Sequence, residues 1–126
     1  MTDAEAHRFA GQWIESWNSR ELERILAHYR DDVEVTSPLV ERLLGPGLGT
    51  VRGKPALRAC WSRALEQFPD LHLTLYGVYR GVDSLVVHYQ SELGLLGTEL
   101  FVFDDTGLVR FGVAHYAEGA APAGAR

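Results

Sequence analysis

The chain has 126 residues, a length that folds as one domain with a sizeable core. Hydrophobic residues make up 46% and charged residues 23%, the balance of a globular protein. A net charge of −5 excludes the basic stripe of a nucleic-acid footprint, and the single cysteine, Cys60, excludes an internal disulfide or a cysteine-based metal cluster.

No stretch approaches the roughly 18 apolar residues that span a bilayer. The N-terminal Met-Thr-Asp-Ala-Glu-Ala-His is acidic and polar, unlike a secretory signal. With the lone thiol, these features point to the reducing cytoplasm.

Phe9, Ala10, Trp13, Ile14 and Trp17 recur at the spacing of one helix face, and Thr2 with Glu5 forms a capping box before them. Asn18 with Glu21 reads as a second capping box. It opens a short helix with Leu22, Ile25, Leu26 and Tyr29 inward. Val33-Glu-Val-Thr-Ser37 alternates as a short strand stopped by Pro38. A glycine-rich connection, Gly45-Pro-Gly-Leu-Gly49, lies within Leu39 to Gly53, with room for one helical turn at Val40 to Leu44. Pro55 suits the first turn of a third helix carrying Leu57, Trp61, Ala64, Leu65 and Phe68.

Four strands follow, at about 71–80, 84–93, 98–104 and 108–116, joined by Arg80-Gly-Val-Asp83, Gly94-Leu-Leu-Gly97 and Asp104-Asp-Thr-Gly107. Connections this short force antiparallel neighbours. Helices gathered before an antiparallel sheet indicate an α+β fold with the helices on one face. The domain is expected to run over residues 1–117. The Gly/Ala-rich tail, 118–126, reads as disordered.

Glu99 is the strongest chemical signal. Alternation along a strand puts Glu99, Phe101 and Phe103 on one face, and two phenylalanines there predict that it points inward. A buried carboxylate without a partner is costly, so the group is paired, protonated or functional. Trp13, Trp17, Tyr29 and Trp61 form aromatic stripes at helical spacing, read either as core or as walls for a flat apolar ligand. Ser37, in phase with Val33 and Val35, would add a hydroxyl to that wall. Tyr89 and Phe101 would add rings. His115, in phase with Val109, Phe111 and Val113, is expected on the inward face near the pocket mouth or as a hydrogen-bonded core histidine. No histidine pair has the i, i+4 spacing of a helical zinc site and no EF-hand loop is present, so neither metal nor cofactor is expected.

The runs Trp17-Asn-Ser-Arg-Glu-Leu22, Tyr29-Arg-Asp-Asp-Val33 with Ser37-Pro38, Val51-Arg-Gly-Lys54, and Asp105-Thr-Gly-Leu-Val109 with Ala114-His-Tyr116 follow a familiar order. Over roughly residues 6 to 116 they resemble the SnoaL-like branch of the NTF2-like superfamily. The resemblance implies a cone-shaped α+β barrel, a homodimer and a pocket at the open end. The ketosteroid isomerases of that superfamily carry a carboxylate base where this chain has Ser37, and a first-helix tyrosine where it has Trp13. Their protonated acid on the penultimate strand matches Glu99. The SnoaL polyketide cyclases place an acid/base carboxylate on the same strand, before an aromatic run like Glu99-Leu-Phe-Val-Phe103, and a partnering histidine for which His88 is the nearest match.

Three readings stay open. A pocket protein could bind, and cyclise or isomerise, a small hydrophobic carbonyl compound of polyketide-like or steroid-like type. A binding module could hold such a ligand without chemistry. A dimeric interaction protein could use its outer sheet face, with Thr74, Tyr76, His88, Gln90 and Glu92, for assembly.

Overall fold

The first helix, α1 (Asp3–Ser19), starts at the expected capping box. The Glu5 amide donates to Thr2 Oγ1 at 3.1 Å, and the Thr2 amide donates to Glu5 Oε1 at 2.8 Å. A computed structural model describes residues 1–117; the tail expected to be disordered lies outside the described residues.

The helix α2 (Leu22–Leu26) follows, with Ile25 and Leu26 buried. Its anticipated cap is not formed. Asn18 stays inside α1 and clamps the start of a distant strand: its Nδ2 donates to the Leu73 carbonyl at 2.9 Å, and its Oδ1 accepts from the Leu73 amide at 2.8 Å. Tyr29 is the first residue of β1 (Tyr29–Thr36) rather than the last of a helix. Here Pro38 ends the strand and opens α3 (Pro38–Leu44), which Ser37 caps by accepting from the Leu39 amide at 3.1 Å.

The glycine-rich connection then yields a short strand, β2 (Thr50–Arg52), and Gly53 leads into α4 (Lys54–Gln67). The meander comprises β3 (Leu73–Arg80), β4 (Ser84–Ser91), β5 (Leu96–Phe103) and β6 (Val109–Tyr116). Among the described residues the helices therefore number four, with α3 as the extra one.

The six strands form one open sheet in the order β2-β1-β6-β5-β4-β3. All neighbours are antiparallel except β1 and β6, which run parallel. Register shifts interrupt the β1–β6, β3–β4 and β5–β6 ladders. Such irregularities sharpen twist and bend the sheet. The helices pack on its concave side. Phe9 meets Phe101 and Phe103 edge-on, with ring centroids 5.0 and 4.8 Å apart, and Trp13 meets Tyr89 at 5.6 Å.

The end of α1 is tied to the end of α4 by one side chain. Arg20 adopts a left-handed backbone, φ 63°, the only non-glycine residue with positive φ among those described. Its guanidinium donates to the carbonyls of Phe68, at 3.1 Å, and Leu65, at the C-terminal end of α4, where the Phe68 carbonyl also accepts from the Leu71 amide. Those bonds offset the roughly 1–2 kcal/mol of a non-glycine residue in this conformation. Arg20→Ala is therefore expected to lower stability by about 2 kcal/mol in denaturant unfolding. Arg20→Gly should be milder by about 1 kcal/mol, since glycine adopts the backbone freely. Equal losses in both variants would contradict a strained left-handed residue at this position.

Candidate functional site

A cavity of about 260 Å³ lies between the helices and the concave face of the sheet. Its aromatic walls come from Trp13 and Trp17 of α1, Trp61 of α4, Tyr89 of β4 and Tyr116 of β6. The tryptophans pack edge to face, with centroids 6.4 Å apart for Trp13–Trp17 and 5.3 Å for Trp17–Trp61. Pro38, Leu39 and Arg42 of α3 also line it, as do Phe68 and Leu71 beyond α4 and the turn between β4 and β5.

Glu99 lines this cavity. The residues of β5 alternate between half-buried and buried, and Gly97, Glu99, Phe101 and Phe103 form the buried set. Only 7% of Glu99 is exposed. Its cross-strand neighbours are Val87 and Ala114, neither of which offers a side-chain donor. The one side-chain hydrogen bond it receives is long, from the Tyr89 hydroxyl to Oε1 at 3.5 Å. Burial pushes its carboxyl up to about 8, against a smaller downward pull from Tyr89. Near neutral pH the group is therefore a neutral acid able to donate a hydrogen bond.

The two tyrosines beside it depend on a glycine. Gly97 pairs with Tyr89 on one side and Tyr116 on the other. A Cβ added there would stand 2.9 Å from a ring atom of each, closer than side chains pack. The missing side chain lets both rings lie over β5. Burial, reinforced by the Glu99 charge, raises the Tyr89 hydroxyl well above its usual range and that of Tyr116 to about 12. Both remain neutral donors at any ordinary pH.

The other candidates divide. Trp13, Trp17, Trp61 and Tyr89 line the cavity with Glu99. Tyr29 does not; it is buried behind Trp13, whose indole donates to its hydroxyl at 3.1 Å. Phe101 is fully buried between Phe9 and Trp13, a core residue rather than a wall. Ser37 is buried too, with its hydroxyl engaged as the cap of α3.

His115 is exposed and lies outside the cavity, contrary to the alternation argument. Val102 pairs with Phe111, yet Phe103 pairs with Val109, so one extra residue, Arg110, is accommodated in β6. The bulge reverses the phase. Val109 points in, Phe111, Val113 and His115 point out, and Gly112, Ala114 and Tyr116 take the inward positions. His88 is likewise on the outer face, its ring 5.7 Å from that of Tyr76. Tyr116 and Arg42 are among the lining residues that the sequence did not single out for the cavity, with Glu92 and the apolar residues of α3 and of the turn between β4 and β5. The small pair Gly112 and Ala114, in phase with Tyr116 beneath the bulky residues of β5, was the available signal for the first.

Folding raises the Glu99 pKa from 4.5 to about 8, so the folded protein holds a proton that the unfolded chain releases over that interval. Its contribution to stability is complete below pH 4.5 and is lost as the pH rises through 8. Relative to Glu99→Gln, the native chain should lose on the order of 4 kcal/mol between those limits in urea titrations at fixed pH. Parallel profiles for the two proteins would mean that the carboxyl is solvated.

Among the described residues no helix is long and apolar enough to cross a membrane. No curated protein matches the chain. Solved structures do. A SnoaL-like protein of unknown function from Burkholderia thailandensis E264 is 40% identical, with a TM-score of 0.86 over 93% of this chain and 98% of that one. A candidate ketosteroid isomerase from Kribbella flavida DSM 17836 is 21% identical, with a TM-score of 0.71 over 94% and 82%. A candidate isomerase of the SnoaL-like family from Agrobacterium tumefaciens str. C58 is 14% identical, with a TM-score of 0.71 over 90% and 98%. The last two show a shared fold. The SnoaL-like domain family matches residues 10–119, and the chain belongs to that family.

Proposed function

We propose that the cavity binds a small hydrophobic molecule bearing a carbonyl group and that Glu99 exchanges a proton with it. The observation that carries this reading is a carboxyl buried in an aromatic chamber without a basic partner among the described residues. A structural carboxylate would have an ion pair or several short hydrogen bonds. Glu99 has one long contact.

In this reading the tryptophan walls hold the apolar body of the ligand and exclude water. Glu99, with a pKa close to neutral pH, passes a proton to or from a carbon or oxygen next to the carbonyl. Tyr89 and Tyr116, held neutral, donate to the oxygen on which negative charge grows. His115, exposed and outside the cavity, lies too far out to share that role. The reaction class is isomerisation or cyclisation by acid–base chemistry. The alternative, a binding module without turnover, is favoured by Ser37, whose hydroxyl is committed to capping α3 at the position where ketosteroid isomerases carry their base.

2-Tetralone, a bicyclic ketone with exchangeable α-protons, tests both. It should quench the fluorescence of Trp13, Trp17 and Trp61, and the protein should accelerate its α-hydrogen exchange in deuterium oxide, followed by proton NMR. Glu99→Gln is expected to retain binding and lose the acceleration by about 100-fold or more. Binding with no acceleration in either protein would leave the binding module; absence of binding would remove the pocket reading.

We also infer a cytoplasmic homodimer, the compartment from the free buried thiol of Cys60. The outer face of the sheet is more apolar than the polar set Thr74, Tyr76, His88, Gln90 and Glu92 implies. Val86, Leu100 and Val113 stand in one cross-strand row, with Val102 and Phe111 in the next, half-buried and outside the packed core. A second copy of the same face would cover them. Sedimentation equilibrium should give twice the 14.0 kDa chain mass, and Phe111→Glu should return the protein to monomer. A native monomer would refute it.

A further inference from the structure

We infer that the ligand is a compact organic acid of one or two rings, whose carboxylate is held at the cavity mouth by Arg42. The inference rests on the pocket reading above and specifies which molecules the pocket takes.

Size comes first. Ligand pockets for drug-sized molecules occupy roughly 300–1,000 Å³, and this cavity is about 260 Å³. The walls that bound it are Trp13, Trp17, Trp61 and Tyr89, all at most 5% exposed and packed against one another. Enlarging it on that side means moving core side chains, which close-packed interiors resist. That volume encloses a bicyclic skeleton more completely than a four-ring one of the polyketide or steroid kind.

Charge comes second. Three charged side chains line the cavity: Glu99, Glu92 and Arg42. Glu92 is tied to the chain beside it, accepting from the His72 amide at 3.0 Å. Arg42 is the one cation, and among the described residues it enters no ion pair, although eight such pairs form elsewhere. Nor is it a loose surface arginine. Its guanidinium carbon stands 5.4 Å from the centre of the Phe68 ring, another cavity-lining residue. A cation–π contact holds the guanidinium beside the ring without using its N–H groups. The guanidinium edge matches a carboxylate, which it can grip with two parallel hydrogen bonds.

The two ends of the site are thus chemically different. Glu99 waits as a neutral acid under Tyr89 on the sheet, where an ionised group on the ligand would be desolvated. Arg42, on the exposed side of α3, offers the only place where the anion is both paired and hydrated. An apolar acid would enter ring first and stop with its carboxylate at the rim.

The test compares 2-naphthoate with its neutral isostere 2-naphthamide by isothermal titration calorimetry at pH 6.5 and low salt, in the native protein and in Arg42→Gln. Naphthoate is expected to bind about tenfold more tightly than the amide, consistent with a charge-assisted hydrogen bond at a partly hydrated site. In Arg42→Gln the preference should vanish while affinity for the amide stays the same. The amide serves as the internal control for folding, because a damaged cavity would weaken both. Equal binding of acid and amide to the native protein overturns the inference, as does a preference that survives in Arg42→Gln or an equal loss of both ligands in that variant. If those results came with normal binding of 2-tetralone, the pocket reading would stand without an anion site. Failure of all three probes to bind would remove both.

Discussion

The arrangement depends on one unfavourable placement, a carboxyl group surrounded by rings and deprived of a counter-charge. Among the described residues the cross-strand neighbours of Glu99 are apolar and its hydrogen-bond donor is a neutral phenol. Val87 and Ala114 flank it across the strands, and Tyr89 leans in from the next row. An arginine or lysine in either flanking position would lower the pKa and convert the acid into a plain ion pair. The protein accepts the cost of burying the group, and in exchange keeps a proton available at a pH where an exposed glutamic acid has long since released it.

Gly97 makes that placement possible. The strand row above Glu99 is Tyr89–Gly97–Tyr116, two large rings with nothing between them. Any side chain at the centre would push the rings apart and admit water to the carboxyl. The same economy appears in α1, where Trp13 serves two layers at once. One side of its ring faces the cavity, while its N–H is fixed on Tyr29 in the core. The chamber walls are therefore the outer layer of the core itself, and the cavity has the rigidity of a packed interior. Among the described residues the buried N–H groups of Trp17 and Trp61 meet no acceptor within hydrogen-bond geometry, a further sign that aromatic packing rather than polar satisfaction shaped this wall.

What was legible in the chain follows from the range of the interactions involved. The alternation of Glu99, Phe101 and Phe103 is local, and the capping box at Thr2 and Glu5 spans four residues; both form as written. Asn18 carries an equally good local signal, yet it is drawn to Leu73, 55 residues away, because the start of β3 needs both a donor and an acceptor there. The parallel pairing of β1 with β6 is also a long-range fact that no turn sequence encodes. His115 shows the sharpest failure. A period-2 argument holds until a bulge intervenes, and one extra residue at Arg110 exchanges the two faces for the rest of the strand. Tyr29 and Phe101 mark a different limit. Their hydrophobic spacing correctly places them inside, but spacing alone cannot tell a residue that touches the cavity from one standing behind it.

The retained and missing pieces also bear on the kind of chemistry the chamber can support. The position before Pro38, where ketosteroid isomerases carry their base, holds Ser37, whose hydroxyl accepts from the first turn of α3. The tyrosines cannot replace the missing base, since their hydroxyls are pushed upward and stay protonated. One group remains that can both give and accept a proton near neutrality. Catalysis by a single such residue requires that the proton be returned to the same face of the substrate from which it was taken, or exchanged with solvent between the two steps. In the proposed reading, a flat ligand held against the tryptophan walls would present one face to Glu99. On the same reading, that arrangement would suit a proton shift within one molecule better than a reaction joining two, with Glu99 as its one deeply buried carboxyl.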